Sequence, residues 1–198
     1  MTTYKKQPFG CGAVLNPVPA VIVTCGSLEA PNALTIAWAG TACTKPPMVS
    51  ISIRPERYSY GLIKESGEFV INLTTAELTK ATDYLGVRSG RDENKLEKLG
   101  LSVESAQNVS APVLCESPLS IECKVEKIIP LGSHDMFLAS IVAVSVAPEL
   151  LDKSGRLCLE KAGLISYCHG QYFELGKCLG SFGYSVKKNT KKKKSKSK

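Results

Sequence analysis

Apolar and polar positions along the chain alternate mostly with a period of two, in short runs punctuated by proline, glycine and serine. Residues 19–25 (PAVIVTC) form a β-branched run that predicts a strand. The turn-rich SLEAPN follows, and ALTIAWAG predicts a second strand. After Lys45-Pro46-Pro47, Val49, Ile51 and Ile53 alternate with Ser50 and Ser52, which predicts a strand with one buried face. Residues 59–66 suit a short helix, with Ser59 as N-cap and Gly67 as stop. EFVINL (68–73) predicts the next strand. Thr74 and Glu77 are spaced as a capping box for a helix that reaches Leu85 and ends at Gly86. A Gly-rich turn and a short helix from Asp92 come next, with Leu96 and Leu99 on one face, then loop to Pro118. Residues 119–129 alternate strictly, 136–147 make a long strand, and PLGSHD between them predicts a hairpin. Residues 148–180 are rich in glycine and aromatics and suit a segment laid over a surface.

Three strands, a helix, a strand, a helix, a long loop and a hairpin favour a mainly β fold, a closed or partly closed antiparallel barrel with small helices on its rim. A doubly wound parallel sheet would need a helix after nearly every strand and a glycine fingerprint after the first, and neither is present.

Charge changes the picture in one place. The 198 residues carry 25 Lys+Arg and 18 Asp+Glu, for a net +7. The tail 187–198 (KKNTKKKKSKSK) holds eight of those lysines and no acid, which leaves the other residues with 17 basic against 18 acidic, or −1. A body of that charge is no nucleic-acid binder, so contact with nucleic acid is confined to weak contacts of the tail, which reads as a disordered, solvated extension. The chain thus divides into a domain over 1–186 and a Lys-rich tail. No apolar run reaches membrane-span length and the N-terminus has no apolar leader core, so no membrane partner and a cytoplasmic location are expected. The eight cysteines have no CxxC spacing and the chain has two histidines, which argues against structural zinc and for free, mostly buried thiols.

Several motifs recur in a fixed order: Asn32-x-x-Thr35-x-x-Trp38-x-Gly40-Thr41, Pro46-Pro47-x-Val49-x-Ile51-x-Ile53-Arg54, Arg57-x-Ser59, Gly67-x-Phe69-Val70-x-Asn72, Gly90-Arg91-Asp92-x-x-Lys95, Gly132-Ser133-His134-Asp135 and Gly170-x-Tyr172-x-x-Leu175-Gly176. In that order and spacing, over roughly residues 10–180, the chain resembles the flavin reductase-like proteins of the FMN-binding split-barrel fold, in the flavoredoxin branch. The resemblance implies a six-stranded antiparallel split barrel, a homodimer, and one FMN per subunit at the dimer interface.

By residue type alone, Arg54 is a surface charge at a strand end and Ser59 a helix cap. The resemblance assigns both to the flavin phosphate, where a helix N-terminus favours an anion. Trp38, the one tryptophan, reads as core or as a wall for a planar ligand, with Gly40 and Thr41 leaving backbone open to close approach. Asn32 and Thr35 read as turn chemistry, or as partners of the ribityl chain or ring edge. Lys95 and Arg91 read as solvated charges, and the resemblance places them near the flavin. His134 reads as an exposed loop residue, and the resemblance sets it on the donor side as the catalytic group. Tyr167 takes a position where the family often has Phe against the flavin. Some members of the family have a Cys near the place of Cys43 that lines the nicotinamide pocket, but with seven other cysteines in the chain a chance coincidence competes, and Cys43 is not assigned to the site.

The implied activity is that of an FMN-dependent oxidoreductase. It would pass electrons from NAD(P)H, another small-molecule donor or a redox protein to flavin, ferric iron or another acceptor. A non-catalytic split barrel that holds flavin or haem for sensing or storage is the other reading.

Overall fold

The computed structural model describes residues 1–187. The lysine tail expected over 187–198 therefore lies outside the described residues apart from Lys187. Twelve strands and three α-helices follow in order: β1 Val18–Pro19, β2 Val21–Gly26, β3 Pro31–Ile36, β4 Ala39–Thr44, β5 Pro47–Ile53, α1 Tyr58–Ser66, β6 Glu68–Leu73, α2 Thr79–Val87, α3 Lys95–Leu99, β7 Val103–Glu104, β8 Val113–Leu114, β9 Leu119–Pro130, β10 Asp135–Val146, β11 Ile165–Cys168 and β12 Gln171–Glu174.

Seven strands form one antiparallel sheet in the order β3-β2-β6-β9-β10-β5-β4. The mainly β, antiparallel architecture is the expected one, with seven strands in the main sheet where six were anticipated. The extra strand comes from ALTIAWAG, read as one strand, which breaks at Ala37–Trp38 into the end of β3 and the start of β4. At that corner the Ser52 N–H donates to the Trp38 carbonyl at 2.9 Å, so the chain folds back onto β5.

Alternation explains the two-sided packing. Val21, Val23 and Cys25 on β2 face a barrel interior shared with Leu34, Ile51, Ile53, Phe69, Phe137 and Ala139. Ile22 faces the other way, against Leu78, Ala81 and Leu85 of the α2 region and Leu96 of α3. Phe69, Phe137 and Ile51 are fully buried, each worth about 1.5–3 kcal/mol on removal from water. The β9–β10 hairpin forms as expected, with two register shifts that bend it around the core.

Five local expectations are corrected. Ser59 does not cap α1: the N-cap residue is Arg57, without a side-chain bond, and the Ser59 side chain turns into the core. Thr74 does not open the α2 capping box, because its hydroxyl donates to the buried Ala20 carbonyl. Thr75, one residue on, accepts from the Leu78 N–H at 3.4 Å instead. Gly86 sits inside α2 rather than ending it, close against β3. Residues 165–174, read as lying over a surface, form the β11–β12 hairpin, which pairs with β1 of the same chain. All eight cysteines are free thiols, but three of them are buried (Cys25, Cys123, Cys158), so the expectation that most serve as core is too broad. The apolar context of Cys11, Cys115 and Cys178 belongs to exposed segments.

The 105–111 loop is held by carboxylates. Glu122, fully buried on β9, accepts from the Gln107 and Asn108 N–H groups at 2.9 and 2.7 Å, and Glu68 accepts from the Ser110 N–H and hydroxyl at 2.7 Å.

Candidate functional site

Strand β3 is an edge of the main sheet, paired on one side with β2. An edge strand offers unpaired backbone donors and acceptors to whatever lies beside it. Helix α2 is fixed to the strand by a bond from the Thr35 hydroxyl to the Thr82 carbonyl. Gly86 comes so near that an added Cβ would stand 3.4 Å from the Thr35 Cβ. Three cavities are strung along β3 within this frame.

The first, of about 140 Å³, collects Thr35, Trp38, Arg54, Arg57 and His134. These come from the end of β3, the corner after it, the chain following β5, and the β9–β10 turn. The hairpin tip is held by the Leu131 N–H donating to the His134 carbonyl at 3.0 Å, and by the Tyr60 hydroxyl donating to Asp135 Oδ2 at 2.6 Å. That bond raises the Tyr60 pKa. His134 Nδ1 lies 3.0 Å from the Ser133 hydroxyl. Arg54 is exposed and 3.6 Å from Glu56, a pairing that solvent weakens. Trp38 keeps 38% of its surface exposed, so it is a wall rather than core.

The second, of about 340 Å³, shares Thr35, Ala37 and Arg57 with the first and adds Asp83, Tyr167 and Tyr172. The two tyrosine rings meet edge to face at 5.5 Å. Tyr172 donates to Asp83 Oδ1 at 3.3 Å, and its pKa is pushed up to about 12 by burial and then by the Asp83 charge.

The third, of about 190 Å³, lies at the start of β3 and includes Asn32, Tyr58, Gly90 and Lys95. Its polar groups are largely committed to the protein. Asn32 Nδ2 donates to the Ser59 hydroxyl at 2.6 Å and reaches Cys25 Sγ at 3.6 Å. Lys95 is 4% exposed, and its Nζ donates to the Leu85 and Arg88 carbonyls at 3.4 and 3.2 Å, closing the C-terminal end of α2. Burial brings the Lys95 pKa down to about 8, with the nearby Arg57 charge pushing the same way. Burial pushes the Cys25 thiol up to about 11. Arg91 lies 6.0 Å from the Tyr58 ring centroid, at the rim of this cavity.

The structure thus brings Thr35, Trp38, Arg54 and His134 together, and joins Tyr167 to them through Thr35 and Arg57. Asn32, Ser59 and Lys95 form a buried support at the other end of the strand. Gly40 and Thr41 lie exposed on β4 and line none of these three cavities. Sequence reasoning missed Arg57, which belongs to both adjoining cavities. Its signal was the extended residue just before a helix, a position that sets a side chain beside the helix N-terminus. Asp83 carried no signal of its own, Gly86 read only as a helix stop, and Tyr172 stood in a motif without a site role.

The arrangement suits an elongated anionic ligand with a planar part. Two guanidinium groups and an imidazole gather at one cavity, with the Trp38 and Tyr167 rings beside it and backbone edge along its length. Planar ligands of cofactor size occupy sites of about 300–1,000 Å³, and the two adjoining cavities reach that range.

A flavin reductase like domain matches residues 14–176. An uncharacterized protein of Archaeoglobus fulgidus is 35% identical over 131 residues, 66% of this chain and 73% of its own. An NADH:FMN oxidoreductase of Rhodococcus qingshengii is 24% identical over 158 residues, 80% of this chain and 76% of its own. Among solved structures, flavoredoxin of Desulfovibrio vulgaris (Miyazaki F) superposes with a TM-score of 0.86 at 29% identity, over 92% of this chain and 100% of that one. With the domain match spanning most of its length and the same split-barrel architecture, the chain belongs to the flavin reductase like family, on its flavoredoxin side.

Proposed function

We propose that the chain is an FMN-dependent oxidoreductase that passes electrons from NAD(P)H, or from a redox partner, to a flavin, ferric iron or another acceptor. The observation that carries this reading is the pair of adjoining cavities on β3, where Arg54, Arg57 and His134 meet Trp38 and Tyr167. A bound FMN would supply the redox chemistry, taking two electrons from the donor and releasing them to the acceptor. The chain's residues bind and orient. Arg54 and Arg57 would hold the phosphate through charge-assisted hydrogen bonds. Trp38 and Tyr167 would flank the ring, and the β3 edge would meet its polar rim. His134 would present a ring N–H where negative charge develops on reduction. Asn32, Ser59 and Lys95 would keep β3, α1 and α2 in register rather than carry the ligand, and Arg91 would reach its rim.

We also infer a homodimer built on residues 1–186, with one FMN per subunit near the interface. Support comes from apolar side chains left exposed: Tyr4, Phe9 and Leu15 of the N-terminal arm, and Val142 and Val144 of β10. Residues 12–15 stand off from Trp38 across an open gap of about 650 Å³, room for a partner's surface.

The visible spectrum of the purified protein, before and after adding FMN, is the first test, followed by steady-state oxidation of NADH and NADPH with free FMN as acceptor. Flavin bands and turnover support the reading. Tight FMN without turnover makes the chain a carrier served by another protein. A colourless protein that takes up no FMN overturns it.

A further inference from the structure

The arginines and the imidazole of the first cavity come from different parts of the chain, and one residue outside the cavity joins them. Arg54, Arg57 and Tyr60 follow one another at intervals of three. The Arg57 N–H donates to the Arg54 carbonyl and the Tyr60 N–H to the Arg57 carbonyl, each at 3.0 Å, so the three form one run of turns into α1. Tyr60 lines none of the three cavities along β3 and reaches across to β10 instead. Its ring meets the fully buried Phe137 edge to face, with 5.4 Å between centroids. Its hydroxyl donates to Asp135 Oδ2 at 2.6 Å. Asp135 and Phe137 are two apart on a strand and share one face, so the ring and the hydroxyl of a single tyrosine hold successive positions of that face. Asp135 opens β10, paired with Pro130 and Ile53, and His134 is the residue just before it. Residues 131–133 of the turn are exposed, which leaves the tip with little packing of its own.

We propose that Tyr60 is a positioning residue of this site: its hydroxyl, through Asp135, sets how far the His134 imidazole stands from Arg54 and Arg57. The inference rests on the reading of this cavity as the flavin site, and it names the residue that fixes the site's span. A ligand held by the arginines meets the imidazole in one geometry only while the turn is tied to α1. With the tie removed the imidazole keeps its chemistry but loses its place, and a misplacement of about 1 Å is enough to slow a positioned reaction by about 100-fold. A simple brace of the fold is the competing role for the bond. The two roles separate, because a brace acts on the melting temperature and a positioning bond acts through His134.

The test is Tyr60→Phe in the full chain, which removes the hydroxyl and leaves the ring against Phe137. The chain has two histidines, so their ring Cε1–H signals are resolved by proton NMR and assigned with His134→Ala, on protein free of flavin. Tyr60→Phe should shift and broaden the His134 signal and leave that of His169 in place. With FMN bound, reduction by NADH and NADPH in turn should slow about tenfold and the midpoint potential should fall, while oxidised FMN stays bound. In the His134→Ala background the same substitution should change neither rate nor potential, as for residues that act as a unit. A parent protein that takes up no FMN ends the flavin reading, and the NMR result then decides the positioning by itself. A His134 signal unmoved by Tyr60→Phe overturns the proposal with or without flavin and makes the bond a brace of the hairpin. An equal loss of rate in the parent and His134→Ala backgrounds also overturns it, since Tyr60 would then act on the flavin by another route.

Discussion

Asn32 on β3 donates from Nδ2 to the Ser59 hydroxyl on α1 at 2.6 Å, with both side chains buried. This bond holds the Ser59 side chain inward, toward the start of β3, instead of capping α1. It also makes Asn32 the joint between the site strand and the helix whose N-cap is Arg57. Asn32→Ala and Ser59→Ala should each lower stability by about 1–3 kcal/mol, the cost of leaving a buried polar partner unmatched. The double variant should cost clearly less than the two single costs added, because the second change removes the orphaned group. Denaturant titration of the four proteins measures this. Strict additivity would show that the two side chains do not share a bond.

Gly90 lies over the same joint. A Cβ there would stand 2.0 Å from Asn32 Oδ1 and 3.1 Å from the Tyr58 ring. Gly90→Ala should therefore destabilise by about 1–3 kcal/mol, the usual range for overpacking. In the Asn32→Ala background the same change should cost much less, since the nearest obstructing atom is gone. Equal costs in both backgrounds would place the obstruction elsewhere.

Much of the fold was legible because its strands repeat at period two and its hairpin is marked by a polar turn. Alternation at Val49, Ile51 and Ile53 is read as directly from the sequence as from the buried face of β5. What escaped depends on contacts distant in sequence. No local signal shows that the Thr74 hydroxyl is taken by Ala20, 54 residues earlier, and α2 starts after Leu78 without a side-chain cap. The site was legible as a set of motifs, but the motifs do not show which way a side chain turns. Lys95 and Ser59 sit within them and face inward. Arg57, in the same motif as Ser59, borders two cavities, and the motif alone gives it no site role.

Arg57 provides the affinity prediction. It borders both adjoining cavities, and no hydrogen bond or ion pair of its side chain occurs among the described residues. Arg57→Ala should weaken FMN binding by about 10- to 100-fold, or about 1.5–3 kcal/mol, the worth of a charge-assisted contact. Arg54→Ala should have a similar or smaller effect, since Glu56 already lies 3.6 Å from its guanidinium. Fluorescence titration with FMN reads both. Unchanged affinity in both variants would move the phosphate to the Lys95 and Arg91 end of β3.

Lys95 gives a pH signature. Its pKa falls from 10.5 to about 8 in the fold because burial disfavours the charged ammonium. Between those values the unfolded chain binds the proton more tightly than the folded one, so stability from this group rises with pH. Its cost is full below pH 8 and gone above the unfolded pKa. Cys25 acts in the opposite sense, from its usual 9.0 up to about 11, so the clean window is pH 8–9. There, unfolding free energy of the parent should rise with pH relative to Lys95→Met. Parallel curves for the two proteins would mean that Lys95 stays charged in the fold.

His134 separates catalysis from binding. Its backbone is fixed by the Leu131–His134 bond, and its neighbour Asp135 is held by Tyr60, so removing the imidazole should leave the turn and the melting temperature in place. The ring shares a cavity with Arg54, Arg57 and Trp38, within reach of a ligand held by the arginines but not needed to hold it. A ring N–H there would stabilise a reduced, negatively charged flavin more than an oxidised, neutral one. His134→Ala should then bind oxidised FMN nearly as well as the parent protein. It should be reduced more slowly by NAD(P)H, or show a lower midpoint potential. For a two-electron couple, about 30 mV corresponds to about 1.4 kcal/mol, the scale of one hydrogen bond to a charged group. Stopped-flow reduction and a redox titration measure the two quantities. Parent values for both would make His134 a surface residue of the turn, and loss of FMN from the variant would make it a cofactor ligand instead of a tuning group.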